Sequence, residues 1–269
     1  MNNAVSKLMV PLEKRIRLGD IDPADTHGLT KEDAAEALVK NLERLSLLQY
    51  LLYAEGRRSV LVVLQGIDAG GKDGTIRRVM SGLNPQGVRV TPFKVPEGAE
   101  KRHDYLWRIH HALPEYGEIG IFNRSHYEDV LVVRVHGLVP KSVWSKRYRQ
   151  INEFERMLSE SGVTIVKFLL FISKEEQARR FRERLEDKQR NWKFSPNDLK
   201  EREYWDAYIE AYEDMLTKCN SEYAPWYVIP ANRKWFRNLA VAQILVETLN
   251  GMKLQYPKPS ADLSKIEFE

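Results

Sequence analysis

From position 66 the chain reads Gly-Ile-Asp-Ala-Gly-Gly-Lys-Asp-Gly-Thr, a run that holds four of its fifteen glycines. Gly66, Gly71 and Lys72 fit the G-x-x-x-x-G-K core of a phosphate-binding loop. Composition alone would produce that core roughly 0.06 times in a chain of this kind. Glycines let backbone N–H groups curl around an oxyanion, and the start of a following helix adds its positive end. A lysine in this place bridges phosphoryl oxygens and stabilises the charge that develops as a bond breaks. Gly66, Ala69, Gly70, Gly71, Lys72, Asp73, Gly74 and Thr75 are therefore the candidate phosphate- and nucleotide-binding residues. A glycine-rich turn closed by an incidental lysine is the bland account of the same text.

Two acids sit in this run. Asp73 stands where Ser or Thr normally follows the lysine, and Asp68 lies inside the loop. Carboxylates beside a phosphate repel it unless a cation intervenes, so the pair points to Mg²⁺. Asp73 is equally well read as a first-turn acid favoured by the helix dipole. That role is closed to Asp68, which precedes the helix.

A second cluster follows the apolar run Ile119–Phe122 and reads Asn123-Arg124-Ser125-His126-Tyr127-Glu128-Asp129. In an open parallel sheet, ligands sit beyond the carboxyl ends of the strands. The aspartate expected at 123 is absent, but Glu128 and Asp129 come close behind and join Asp68 as candidate metal ligands. Arg124 either neutralises the transferring phosphoryl oxygens or sits in a structural ion pair. Asp68, Lys72, Arg124 and Glu128 form the candidate catalytic set, with Asn123 and Arg124 added to the phosphate and nucleotide binders. His126 reads as a packing residue before it reads as a base, since a phosphate oxygen is already a nucleophile.

The third cluster is cationic. Lys174–Lys193 holds Arg179, Arg180, Arg182, Arg184, Lys188 and Arg190 among five acids. Arg180 and Arg184 lie one helical turn apart, and Ala178, Phe181 and Leu185 form a packing side. Such a helix is either a solvated, salt-bridged surface or a lid that closes over a polyanion and excludes water. Lys94, Lys101, Arg102 and Arg108 would extend a positive path.

These groups need elements to position them. Residues 1–29 read as an irregular arm. Thr30, with Asp33 three residues on, opens a helix that carries Ala34, Leu38, Leu42, Leu45, Leu48 and Leu52 on one stripe and ends at Gly56. That stripe serves either the core or an interface. Ser59–Gln65, Val88–Phe93, Glu118–Phe122, Val163–Ile172 and Trp226–Ile229 read as strands. Between them, helices are predicted over about 71–81, 101–113, 141–160, 174–187 and 196–218, and from an Asn232 cap to about Leu249. Strands alternating with helices predict an α/β domain: a parallel sheet covered on both faces. The boundaries are residues 1–55 for the arm and first helix and 56–269 for the phosphate-loop domain, with a helical hairpin at about 174–218 standing off the sheet as a lid.

Composition narrows the class. The 269 residues are 43% hydrophobic and 30% charged, with a net charge of +4 and a single cysteine, Cys219. That excludes a disulfide framework and a cysteine-rich zinc module. The near balance of charge and the lack of a recognised binding motif argue against a nucleic-acid binder. The longest apolar runs are too short for a membrane span, and Met1–Glu13 has no continuous apolar core, so the cytoplasm is the expected compartment.

The chain resembles the polyphosphate kinase 2 family through GIDAGGKDGT (66–75), FNRSHYEDVLVVRVHG (122–137), SKEEQARRFRER (173–184), WKFSPND (192–198) and APWYVIPANRKW (224–235). The likeness covers about residues 55–250. It implies a thymidylate-kinase-like P-loop fold with a helical lid, and reversible Mg²⁺-dependent phosphoryl transfer between inorganic polyphosphate and nucleotides. On that pattern Asp68 and Lys72 are Walker A positions, Arg124 belongs to Walker B, and Arg180, Arg184 and Lys193 belong to the lid, with Lys94 on the polyphosphate path. Many members read D-R-S-W-Y-N where this chain reads N-R-S-H-Y-E from Asn123 to Glu128, so one acid is lost at 123 and one gained at 128. The same text resembles the subgroup that phosphorylates both AMP and ADP. Implied partners are polyphosphate, AMP, ADP and ATP, in a homo-oligomer of two or four chains. An ATP-dependent nucleotide kinase is the rival, and the missing hydroxyl after Lys72 counts against it, since that group usually ligates Mg²⁺ of a bound triphosphate.

Overall fold

The computed structural model describes residues 7–262 apart from Arg190. Arg190, one of the cations counted above, therefore lies outside the described residues. Five parallel strands run in the order β2-β3-β1-β4-β5: β1 Ser59–Gln65, β2 Val88–Pro92, β3 Ile119–Asn123, β4 Val163–Phe171 and β5 Trp226–Pro230. Every residue of β1 is buried, as a continuous β-branched run must be when helices cover both faces. Val62 stands opposite Ile121 of β3 and Val166 of β4, which brings the carboxyl ends of the three central strands to one edge.

Helices α1 (Lys31–Glu55), α2 (Lys72–Val79) and α9 (Lys234–Gly251) share one apolar layer with the sheet. Thr30 caps α1 by accepting from the Asp33 N–H, and Gly56 ends it in the left-handed region. The leucine stripe belongs to the core: Leu38, Leu45, Leu48 and Leu52 are buried in the layer that α9 shares. The opposite layer holds α3 (Trp107–His111), α5 (Lys141–Glu160) and α8 (Trp205–Lys218), with the one-turn α4 (Val132–Val135) beside them. The candidate lid starts as α6 (Lys174–Glu186) and continues through α7 (Pro196–Glu201) into α8.

Three expectations need correction. The helix expected over 101–113 shrinks to α3, because the Asp104 carboxylate accepts from the Leu106 N–H and draws the preceding backbone into a turn. The helix expected over 196–218 breaks at the 3₁₀ turn Arg202–Tyr204, where Arg202 donates to the Lys174 carbonyl and to Gln177. Asn232 does not cap α9; its side chain accepts from the Ser173 N–H, tying the start of α6 to the end of β5. The arm also has more order than its composition suggests. Val10 donates to the Trp226 carbonyl and Val228 to the Leu8 carbonyl, both at 2.9 Å, so residues 8–10 cover the exposed edge of β5. Among the described residues no helix is long and apolar enough to cross a membrane.

Candidate active site

β1 runs directly into the glycine-rich loop. A Cβ on Gly66 would stand 2.8 Å from the Leu170 carbonyl oxygen, and one on Gly70 would stand 2.9 Å from that of Ile67. Larger residues at either place would force the loop open. Ala69 adopts φ 63°, a left-handed value that non-glycine residues rarely take and that recurs at ligand sites. The first helical N–H to find a backbone acceptor is that of Thr75, bonded to Gly71. Among the described residues the N–H groups of Lys72, Asp73 and Gly74 take no backbone partner, and they open on the positive end of α2.

Lys72 is buried, and its ammonium folds back to donate to the carbonyls of Gly66 and Ile67. Burial, helped by Arg124, pushes it down to about 8 against the opposing pull of Asp68, Glu128 and Asp73. At the end of β3, Arg124 takes φ 65° and donates its backbone N–H to Leu64. That turn sends its guanidinium back over the loop to Asp68, 2.7 Å away. Lys72, Arg124 and Asp68, picked from two separate stretches of sequence, thus meet at one point. Glu128 lies in the same field, where burial pushes its carboxyl up against the pull of Arg124 and Lys72.

Asn123 and Asp73 also meet: the Asn123 amide donates to one Asp73 oxygen at 2.9 Å, and Lys193 donates to the other at 3.1 Å. Burial pushes the Asp73 carboxyl up, but those two partners outweigh it and hold it down. Asp73 therefore links the glycine-rich loop, the end of β3 and the segment after α6. Asp129 is a correction. It feels the charge of the adjoining Glu128, but it pairs with Arg147 at 2.7 Å and lines a cavity that neither Asp68 nor Glu128 lines. Consecutive residues of the 3₁₀ turn His126–Asp129 project to different sides, so Glu128 faces the loop and Asp129 does not. That cavity, about 950 Å³, lies past the carboxyl ends of β2 and β3 and is lined by Lys101, Tyr105, Arg108, Asp129 and Arg147 among others. Burial pushes Asp129 up to about 6 despite Arg147. His126 lies behind the site, fully buried with Nε2 3.1 Å from Glu155, which also pairs with the buried Lys167.

The cations of the candidate lid divide. Arg180 is buried, and its donors are spent on Glu176 and on the carbonyls of Ala69, Gly70, Ala231 and Asn232. A guanidinium has five N–H donors, so none is left for a polyanion: Arg180 clamps the loop to the end of β5 instead of lining a channel. Gln177 adds a second clamp by donating to the Asp68 carbonyl at 2.9 Å. Arg184 rests on Phe181 and reaches Asp198 only at 3.5 Å, while Lys94 is exposed just past β2. Arg179 faces outward between Glu176 and Glu183.

Sequence reasoning missed Gln177 and Arg237. Arg237 stands on α9 in line with the buried Ala240, Val241 and Ile244, three, four and seven residues on. A charge on an apolar stripe is the signal that could have found it. Gln177, a neutral residue in a charged run, carried none.

Among the described residues, no group of three or more His, Cys, Asp or Glu side chains stands together as a self-sufficient metal cage. Mg²⁺ does not require one where phosphates are present, because it binds through one or two carboxylates plus phosphate oxygens and water. Asp68 and Glu128, both acting on Lys72 and Arg124, fit that demand.

Residues 28–257 match the family description of polyphosphate kinase 2. The chain is 55% identical to an AMP/ADP-polyphosphate phosphotransferase of Meiothermus ruber, over 98% of this chain and all of that one. It is 49% identical to an ADP-polyphosphate phosphotransferase of Rhodopseudomonas palustris, over 85% of this chain and 83% of that one. Among solved structures, polyphosphate kinase 2 of Arthrobacter aurescens superposes with a TM-score of 0.92 at 44% identity, covering 96% of this chain and 93% of its own.

Proposed function

The chain belongs to the polyphosphate kinase 2 family and is a kinase that phosphorylates nucleotides with inorganic polyphosphate as donor; we propose that it accepts both AMP and ADP and works reversibly at the loop around Lys72. The dual acceptor rests on the likeness, over nearly the whole chain, to a relative named for both nucleotides. The site rests on one observation, the convergence of Lys72, Arg124 and Asp68.

In this reading the terminal phosphate of the donor lies against the free N–H groups of Lys72, Asp73 and Gly74. Lys72 leaves the Gly66 and Ile67 carbonyls to bridge its oxygens. Arg124 neutralises the charge that spreads over the transferring group, and the terminal oxygen of the nucleotide attacks in line. The nucleophile is already an anion, so positioning and electrostatics carry the rate. Asp68 and Glu128 would hold Mg²⁺, which supplies charge neutralisation at the bridging oxygens. The cavity at Asp129 and Arg147 has the size of a small-ligand pocket and takes the acceptor nucleoside. Lys94, Arg184 and Lys193 remain the cations available to a long donor. The enzyme is placed in the cytoplasm, as a homo-oligomer of two or four chains; exposed Val39, Leu47 and Tyr50 on the outer side of α1 support the association, and light scattering would measure it.

Lys72→Ala tests the site. Losing a preorganised charge at the transition state should lower turnover by more than about 100-fold. A variant with near-normal steady-state rates would remove Lys72 from the chemistry.

A further inference from the structure

Among the described residues Arg237 is a buried cation with no counter-ion. It stands on the first turn of α9 and is 3% exposed. Its guanidinium faces the first turn of α2, where two glycines make room for it. A Cβ on Gly71 would lie 1.9 Å from Nη1, and one on Gly74 would lie 3.4 Å from Nη2. Among the described residues its side chain donates only to the neutral side chain of Asn238, from Nε at 3.2 Å and from Nη2 at 2.9 Å. The charge that acts on it is the like charge of Arg180. Burial and Arg180 together push Arg237 down to about 10.

A buried guanidinium without a partner is destabilising, and here it is set beside the positive end of a helix. The N–H groups of Lys72, Asp73 and Gly74, which lack backbone partners among the described residues, open on that same turn. Arg180 cannot relieve the shortage of negative charge, since it is itself a cation held by Glu176 and four carbonyls. The arrangement calls for an anion brought from outside.

Resting on the polyphosphate-donor reading above, we propose that Arg237 binds the donor chain on the far side of the phosphate loop, taking a phosphate upstream of the one being transferred. An inorganic chain stays anionic at every unit along its length. A nucleoside triphosphate continues past its third phosphate into a neutral sugar. Arg237 thus selects a donor that is still a phosphate chain where it passes Gly74, and its planar fork suits phosphate oxygens better than a point charge does.

The test compares wild type with Arg237→Gln and Arg237→Lys. Thermal unfolding is followed with and without long-chain polyphosphate, and KM is measured with donor and acceptor varied separately. Without polyphosphate, Arg237→Gln should melt at or above the wild-type temperature, because an unpaired buried charge has gone. Its donor KM should rise about tenfold or more, as for losing a hydrogen bond to a charged group, while the acceptor KM stays within about twofold. Polyphosphate should stabilise it much less than it stabilises wild type, and Arg237→Lys, which keeps the charge but not the fork, should recover only part of the donor KM. An unchanged donor KM overturns the proposal, and so does a parallel rise in both KM values. A Gln variant that melts far lower, or fails to fold without polyphosphate, also overturns it, because the guanidinium would then have its partner inside the protein. Failure of wild type itself to use polyphosphate would defeat the donor reading, a result distinct from any failure confined to the variants.

Discussion

At Lys72 burial works against the charge that phosphate transfer needs. The ammonium is pushed down to about 8 and rests on two carbonyls of its own loop. Only the protonated form holds a phosphate, so kcat/KM for the donor, which reports the free enzyme, should fall as pH rises through about 8. With donor saturating, kcat should hold to higher pH, because the bound anion draws the ammonium back up. A kcat/KM that stays flat from about pH 7 to 9 would contradict this. In stability the sign is opposite: the folded value lies below the unfolded one, so this lysine's penalty is full below about 8 and fades as pH rises towards the unfolded value. Asp68, Lys72 and Arg124 were legible in sequence because short local motifs carry them. Asp129 was not, since of two adjacent positions in one tight turn Glu128 faces the loop and Asp129 pairs with Arg147. Arg237 stayed hidden because its meaning depends on two glycines some 160 positions earlier in the chain.

Elements show the same division between local and distant information. The strands and the boundaries of α1, α5 and α6 follow from hydrophobic period and caps, which neighbouring residues determine. The breaks at 104 and 202–204 follow from side chains that reach turns or other helices, and no period records those. α6 carries the most informative case. Its arginines were legible as cations, but which of them faces a ligand was set by how α6 meets the phosphate loop and the end of β5. Arg180 turned out to be the clamp. Arg180→Ala should therefore impair use of polyphosphate and of nucleotide alike. It should also lower stability, by less than the about 3–5 kcal/mol of stranding a buried charge, because Glu176 keeps Arg179 as its partner. Chemical denaturation and separate donor and acceptor kinetics check both parts. Damage confined to the donor KM, with stability intact, would return Arg180 to a channel.

At the scale of the molecule, the strand order 2-3-1-4-5 sets β1 between β3 and β4. The glycine loop after β1, the Arg124 turn after β3 and the base of α6 after β4 therefore all open on one edge of the sheet, the place where open α/β sheets bind ligands. That architecture serves either a nucleotide or an inorganic chain as donor, so the donor is the point on which the functional reading turns. The most direct measurement separates nucleotides chromatographically after the purified protein is incubated with Mg²⁺ and AMP, adding either polyphosphate or ATP. ADP and then ATP, formed with polyphosphate as the only added donor, is the expected result. Product that forms only when ATP is added would contradict it and leave a conventional nucleotide kinase.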